Sequence, residues 1–154
     1  MSATPSNVYG IGVIAIIIGA SMGTVYYTSF YLPESLAKPQ VDEAILNPTK
    51  STIIEMIMGS SSPEQQDNYM PKLLKIQLGV DNHVVWINKD ATPHTVSPDN
   101  ESLTDSYSGI FGSPGVVKPN ESYEFTFTEP LTFSYHCSPH PWMVGTIDVG
   151  KSRF

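Results

Sequence analysis

Residues 123–137 read YEFTFTEPLTFSYHC. In the first half, three aromatic residues alternate with polar ones, which is the period-2 pattern of a half-buried strand. A Glu-Pro pair at positions 129 and 130 interrupts the pattern and predicts a turn. In the second half the odd positions share one face, and they are Leu131, Phe133, Tyr135 and Cys137. The stretch therefore predicts two consecutive strands joined by a short turn.

Further strands are predicted on both sides of this pair. Residues 51–58, LLKIQLG (73–79), HVVWINKD (83–90) and residues 144–150 are short runs of apolar and β-branched residues between Gly, Pro, Asn and Ser. Residues 99–115 are polar, and we expect a long irregular connection with a short strand around Ile110 and Phe111. About seven short strands without helical periodicity predict an all-β domain over residues 51–154, a sandwich or a barrel.

The N-terminal segment has a different character. Residues 8–32 contain no charged side chain, and 25 residues are enough for a helix that crosses a bilayer. We predict a transmembrane anchor over residues 1–32 and a proline-containing linker over residues 33–50, with a helical turn near residues 41–46. The alternative is a cleaved signal peptide with a cleavage site near Ala37, but no basic residue precedes its apolar run. Both alternatives export the downstream domain.

Charge and cysteine content limit the function further. The chain has 15 acidic and 8 basic residues, a formal net charge of -7 and no basic run. This balance argues against nucleic acid as a partner. The single cysteine, Cys137, cannot form a disulfide within the chain. Its place among histidines, prolines, a tryptophan and a methionine in YHCSPHPWM requires another explanation.

Side chains that bind soft or borderline metals are concentrated in two places. His94 follows a predicted strand, and Cys137, His140 and Met143 occur at intervals of three residues. Two imidazoles, a thiolate and a long axial thioether are the ligand set of blue-copper electron-transfer sites. Pro139 and Pro141 restrict this loop and lack the N–H groups that could otherwise donate to the sulfur. The sequence therefore predicts a copper site.

The motif CSPHPWM, together with the upstream sequence PHTV, resembles the cupredoxins, the small blue copper proteins. This resemblance extends over about residues 51–150 and implies a Greek-key β-sandwich with one copper ion that cycles between Cu(I) and Cu(II). It implies that His94, Cys137 and His140 are equatorial ligands and that Met143 is axial. It also implies that Thr95 holds the His94 loop through its backbone.

The same resemblance carries expectations about function. His140 would conduct electrons at the surface, and redox partner proteins would dock near Pro141 and Trp142. The predicted protein is a membrane-tethered, type 1 copper electron carrier outside the cytoplasm. A copper enzyme acting on nitrite, nitric oxide or oxygen is the alternative, because His136 precedes Cys137 as in copper nitrite reductases. Those enzymes have a second histidine where this chain has Asp99, so we interpret His136 as a surface residue.

Overall fold

The computed structural model describes residues 5–37, 39–100 and 103–151. The chain divides into two compact units, Met1–Lys38 and Pro39–Phe154. The predicted anchor starts, and the predicted β domain ends, at residues outside the described ranges. The domain limits of the sequence analysis therefore stay predictions.

The first unit is helical. Helix α1 is Pro5–Tyr26, a π-helical segment follows at Tyr27–Tyr31, and helix α2 is Leu32–Ser35. The span Tyr9–Ser35 contains an 18-residue window with a mean hydropathy of 1.7, so the segment is long and apolar enough to cross a membrane, although a signal sequence meets the same criteria. The hydroxyls of Ser21 and Thr24 donate to carbonyls one turn earlier, which satisfies these polar groups within the apolar segment.

The second half of the predicted linker is attached to the β-rich unit. Helix α3, Glu43–Leu46, begins where the carboxylate of Asp42 accepts the amide N–H of Ala44 at 2.9 Å. The buried side-chain amide of Asn82 donates to the carbonyl of Ile45 at 2.8 Å. The short helical turn expected near residues 41–46 is therefore present.

Ten short strands are found in the described part of the second unit. They are β1 Ser51–Met56, β2 Tyr69–Met70, β3 Leu73–Gln77, β4 His83–Asn88, β5 Ser97–Pro98, β6 Thr104–Asp105, β7 Gly109–Ile110, β8 Ser122–Thr126, β9 Leu131–Cys137 and β10 His140–Gly150. One sheet has the order β2-β1-β4-β8, and the other has the order β3-β10-β9-β5. The strands β6 and β7 form a separate hairpin.

Each large sheet contains one parallel pair. Strand β1 runs parallel to β4, and β3 runs parallel to β10, whereas β4 pairs antiparallel with β8 and β9 pairs antiparallel with β10. Parallel neighbours need a connection that leaves the pair and returns, as in a Greek-key sandwich. The predicted β8 and β9 are confirmed, and β10 begins at His140 rather than at residue 144 because His140 pairs with Cys137.

Aromatic side chains fill much of the space between the two sheets. Phe111, within the connection expected to be irregular, is only 2% exposed and contacts the rings of Trp86 and Phe133. The ring of Tyr135 lies over Gly145 on the neighbouring strand, where an added Cβ would overlap it. The core therefore fixes β9 beside β10 and with it the position of Cys137.

Candidate metal centre

Three of the four predicted ligands meet at one end of the sandwich. His94 lies beyond the end of β4 and pairs with Val117 in an isolated bridge. Cys137 is the last residue of β9, and His140 is the first residue of β10. Because β9 and β10 are antiparallel neighbours joined by a two-residue turn, the thiol and the second imidazole are brought together locally.

The ligand atoms form a compact triangle. The Nδ1 atoms of His94 and His140 are 3.1 Å apart, and Sγ of Cys137 lies 3.7 Å from the first and 3.5 Å from the second. A point equidistant from all three corners of such a triangle lies about 2.0 Å from each, which matches a metal–imidazole bond. The triangle therefore fits a single metal ion.

The fourth predicted ligand is close to this group in sequence and is fully buried. Met143 lies on β10, three residues after His140, within the irregular part of the pairing between β9 and β10. Its predicted axial role remains a prediction.

The imidazole of His94 is oriented by a buried carboxylate. Nε2 of His94 lies 2.9 Å from Oδ2 of Asp90, and an ionised carboxylate can only accept, so Nε2 carries the proton. Burial lowers the pKa of His94 below its ordinary value, and the hydrogen bond to Asp90 opposes this only in part. Nδ1 is thus left unprotonated on the side that faces Cys137 and His140. This is the form of imidazole that binds metals.

Asp90 itself is held by backbone donors. Its carboxylate accepts N–H groups from Gly59 at 3.0 Å, from Ser61 at 3.2 Å and from Ala91 at 2.8 Å. Burial alone would raise the pKa of Asp90, but these bonds and the bond from His94 outweigh it and hold the pKa below its ordinary value. Sequence reasoning missed Asp90, since a position four residues before a histidine in a loop has no periodic signal.

The sulfur of Cys137 accepts a hydrogen bond from the other histidine-bearing segment. The amide N–H of Thr95 donates to Sγ at 3.3 Å, and the hydroxyl of Thr95 accepts the amide of Ser138 at 2.8 Å. The prolines at 139 and 141 have no N–H to donate, as expected, so the amide of Thr95 supplies a hydrogen bond to the sulfur from another loop. Thr95 was expected to hold the His94 loop through its backbone, and its backbone amide also contacts the thiol.

The side of the site near His140 is the more accessible one. His140 is half-buried, Pro141 is exposed, and the ring of Trp142 lies 5.4 Å from that of His140, centroid to centroid. Trp142 is half-buried rather than fully exposed, because its Nε1 donates to the carbonyl of Ser60 at 3.1 Å.

His136 lies outside the triangle. Its Nδ1 is 2.6 Å from Oδ1 of Asp99, and its side chain is about one-third exposed. It lines an open cleft of about 590 Å³ whose walls also include Pro98, Ile110 and Pro114. The structure therefore places His136 at the surface and pairs it with the aspartate that the sequence analysis had singled out.

The chain is similar to known copper proteins over much of its length. Residues 58–150 match the model of the copper-binding plastocyanin/azurin family. An amicyanin from Paracoccus denitrificans is 34% identical over 79 residues, which cover 49% of this chain and 54% of that protein. A plastocyanin from Prochlorothrix hollandica is 29% identical over 104 residues, which cover 66% of this chain and 76% of that protein.

A solved structure is also similar to this chain. A purple cupredoxin from Nitrosopumilus maritimus superposes with a TM-score of 0.54 and 28% sequence identity, covering 64% of this chain and 99% of that one. The cupredoxin fold expected from the sequence is confirmed by this likeness. The chain spans about half the length of the amicyanin that it matches.

Proposed function

The chain belongs to the plastocyanin/azurin family of copper-binding proteins, and from this premise we propose that it is a membrane-tethered type 1 copper protein that transfers single electrons. Family membership supports the copper ion, and the compact triangle of His94, Cys137 and His140 is the observation that carries the proposal. Two imidazoles and one thiolate at these distances are the equatorial set of such sites.

The proposed site residues fall into metal ligands and residues that orient those ligands. His94, Cys137 and His140 would hold the ion, and Met143 would be the weak axial ligand. A copper ion bound there would supply one-electron chemistry. The chain keeps His94 in the correct tautomer through Asp90, and it donates a hydrogen bond to the thiolate from Thr95. A buried, hydrogen-bonded ligand set favours retention of the metal rather than exchange.

Redox partners are proposed to dock near Pro141 and Trp142. His140 is the half-buried ligand of the three, and these two side chains are next to it in sequence. An apolar contact there would bring a partner's redox group close to a ligand while excluding water.

Membrane attachment is proposed for the N-terminal helix. Its uncharged length, and the aromatic residues Tyr26, Tyr27, Phe30 and Tyr31 at one end, are typical of a span that ends at an interface. The β domain would then act outside the cytoplasm. Retention of the helix in the mature chain, detected by mass spectrometry of membrane fractions, tests this against cleavage.

The direct test is copper loading of the full chain in detergent. We expect one equivalent of Cu(II) to produce an intense sulfur-to-copper charge-transfer band and a reversible one-electron couple. Cys137→Ala should abolish the band completely. His83→Gln is the matched control, because His83 bonds Ser51 on the outer side of the other sheet and should leave the spectrum unchanged. A colourless, redox-silent copper complex of the intact chain would refute the proposal.

Mixing experiments distinguish the alternative, a copper enzyme, from the proposed electron carrier. Reduced or oxidised protein mixed with nitrite, nitric oxide or oxygen should show no sustained turnover if the protein is a carrier. Turnover that disappears in His136→Gln, with the charge-transfer band intact, would instead support the enzyme.

A further inference from the structure

A segment that supplies no predicted ligand contacts the metal centre at three points. We call residues 57–70 the bracing segment; it follows β1 and ends with β2. Two of its amides, from Gly59 and Ser61, donate to Asp90, and the carbonyl of Ser60 accepts the indole N–H of Trp142. At its other end, the hydroxyl of Tyr69 donates to the carbonyl of Thr95 at 2.6 Å.

Each contact reaches a different part of the site. Asp90 orients the imidazole of His94, Trp142 belongs to the strand that carries His140 and Met143, and Thr95 donates to the sulfur of Cys137. Through Asp90, Trp142 and Thr95, the bracing segment is therefore connected to all three of the chain segments that carry the predicted ligands.

The segment is itself closed and partly buried. The amide N–H of Ile57 donates to the carbonyl of Asn68 at 3.0 Å, which joins its two ends. The buried hydroxyl of Ser60 lies 2.6 Å from the carbonyl of Ile57 and 3.1 Å from that of Asn68. A loop closed at its base and bonded internally resists displacement better than an open one.

Tyr69 is the best-fixed of these contacts. Its side chain is fully buried, and its ring packs against Tyr135 with the centroids 4.9 Å apart. Burial raises the pKa of its hydroxyl far above the ordinary value, and the proximity of Cys137 acts in the same direction. The hydroxyl therefore remains a neutral donor toward Thr95.

We propose that the bracing segment holds the amide of Thr95 on the sulfur of Cys137, and that Tyr69 is the positioning residue for this contact. The effect on copper rests on the proposed function, whereas the positioning of Thr95 does not. An amide that donates to a thiolate withdraws electron density from the sulfur, so its loss favours the oxidised metal.

The first test uses the unmodified full chain without metal. Amide hydrogen exchange, followed by NMR, should show the Thr95 N–H protected by on the order of 100-fold or more relative to an open loop amide. Free exchange of this amide in the metal-free protein, with protection gained only on copper loading, would overturn the proposal. This result does not depend on the colour or potential of the copper form.

The second test compares variants of the fully buried Tyr69 and of the half-buried Tyr123. In Tyr69→Phe the exchange of the Thr95 amide should accelerate by about 10-fold, and the copper-loaded form should have a shifted charge-transfer band and a lower midpoint potential. The matched control is Tyr123→Phe, because the Tyr123 hydroxyl accepts the amide of Gly112 and has no bond to Thr95 in the part of the chain that the structure describes. This variant should change neither property. Equal changes in both variants would show general loosening and would overturn the assignment.

A third variant covers the case in which Tyr69→Phe does not fold. Trp142→Phe keeps an aromatic ring but removes the donor to the Ser60 carbonyl. It should accelerate exchange of the amides of Gly59 and Ser61, and unchanged exchange there would contradict the bracing role. If these exchange results hold while copper gives no charge-transfer band, the proposed function fails and the bracing role stands.

Discussion

Asp90 and Asp105 lie in separate parts of the sandwich and are built into it in the same way. Asp90 is 4% exposed and Asp105 is 5% exposed, and each carboxylate accepts four hydrogen bonds. Burial alone would raise both pKa values, but the hydrogen bonds outweigh it and hold both below the ordinary value. Both residues therefore organise a loop in the same way, through a buried carboxylate that accepts four hydrogen bonds.

Asp90 and Asp105 differ in the one donor that is not a backbone amide. Asp105 is bonded by the amides of Tyr107 and Ser108 and by both the amide and the hydroxyl of Thr128, so it joins a hairpin to the segment after β8. Asp90 has three backbone donors and, as its fourth, the imidazole of His94. Asp90 is therefore connected to the candidate metal centre because its fourth donor is the predicted ligand His94, whereas the fourth donor of Asp105 is the hydroxyl of Thr128.

The largest expected effect is that of Asp90→Asn. The new amide group would turn two hydrogens toward positions where N–H groups already donate, so the free energy of unfolding should fall by about 2–4 kcal/mol. Because the neutral Asn side chain accepts more weakly from His94 than the carboxylate does, copper affinity should also fall by about 10- to 100-fold. Denaturant unfolding of the metal-free chain and competition with a chelator measure the two effects, and unchanged copper affinity would refute the role assigned to Asp90.

Asp105→Asn is the matched variant and should separate the two effects. The same conflict between donors should lower the free energy of unfolding by about 2–3 kcal/mol. Copper affinity should stay within about twofold of the parent, since no donor of Asp105 is a candidate ligand. Copper affinity that falls as far as in Asp90→Asn would mean that general stability, not the bond to His94, governs metal binding.

Acid pH should reveal Asp105 through a smaller effect. Its pKa in the folded chain is below the ordinary value of 3.8, so its stabilising contribution is complete above that value. It is lost as the pH falls from about 3.8 through the folded pKa, with a slope of at most about 1.4 kcal/mol per pH unit. Asp105→Asn should reduce the slope of unfolding free energy against pH by this amount, measured by denaturant unfolding of the metal-free chain. An unaltered slope would contradict the assignment.

The smallest expected effect comes from one donor of Asp105. Thr128→Val keeps the shape of the side chain but removes the hydroxyl that donates to the carboxylate at 2.6 Å, which should cost about 1–2 kcal/mol. Thr128→Ser retains the hydroxyl and serves as the control in the same unfolding experiment. Equal stability of the two variants would mean that the amide of Thr128 is the donor that matters.

Much of the fold was accessible from the sequence because its signals are local. The alternation around residues 123–137 predicted β8 and β9, which the structure contains, since successive side chains of a strand face opposite sides. Of the hairpin β6–β7, a short strand near Ile110 was expected, but its partner β6 was missed because two-residue strands are too short for any periodicity to show. The extension of β10 to His140 was missed because prolines and an irregular register obscure that strand.

The sequence by itself determined the chemical inventory: one thiol, two candidate imidazoles and a thioether, three of them within seven residues of one turn. It also determined the uncharged N-terminal segment, because both depend only on residue type and short spacing. Only the tertiary structure decided that His94 approaches Cys137, 43 residues away. It also decided that Asp90 bonds His94, that Thr95 bonds Cys137 and that Tyr69 bonds Thr95. These contacts join separate loops and strands, and their partners are chosen by packing of the two sheets rather than by any local pattern.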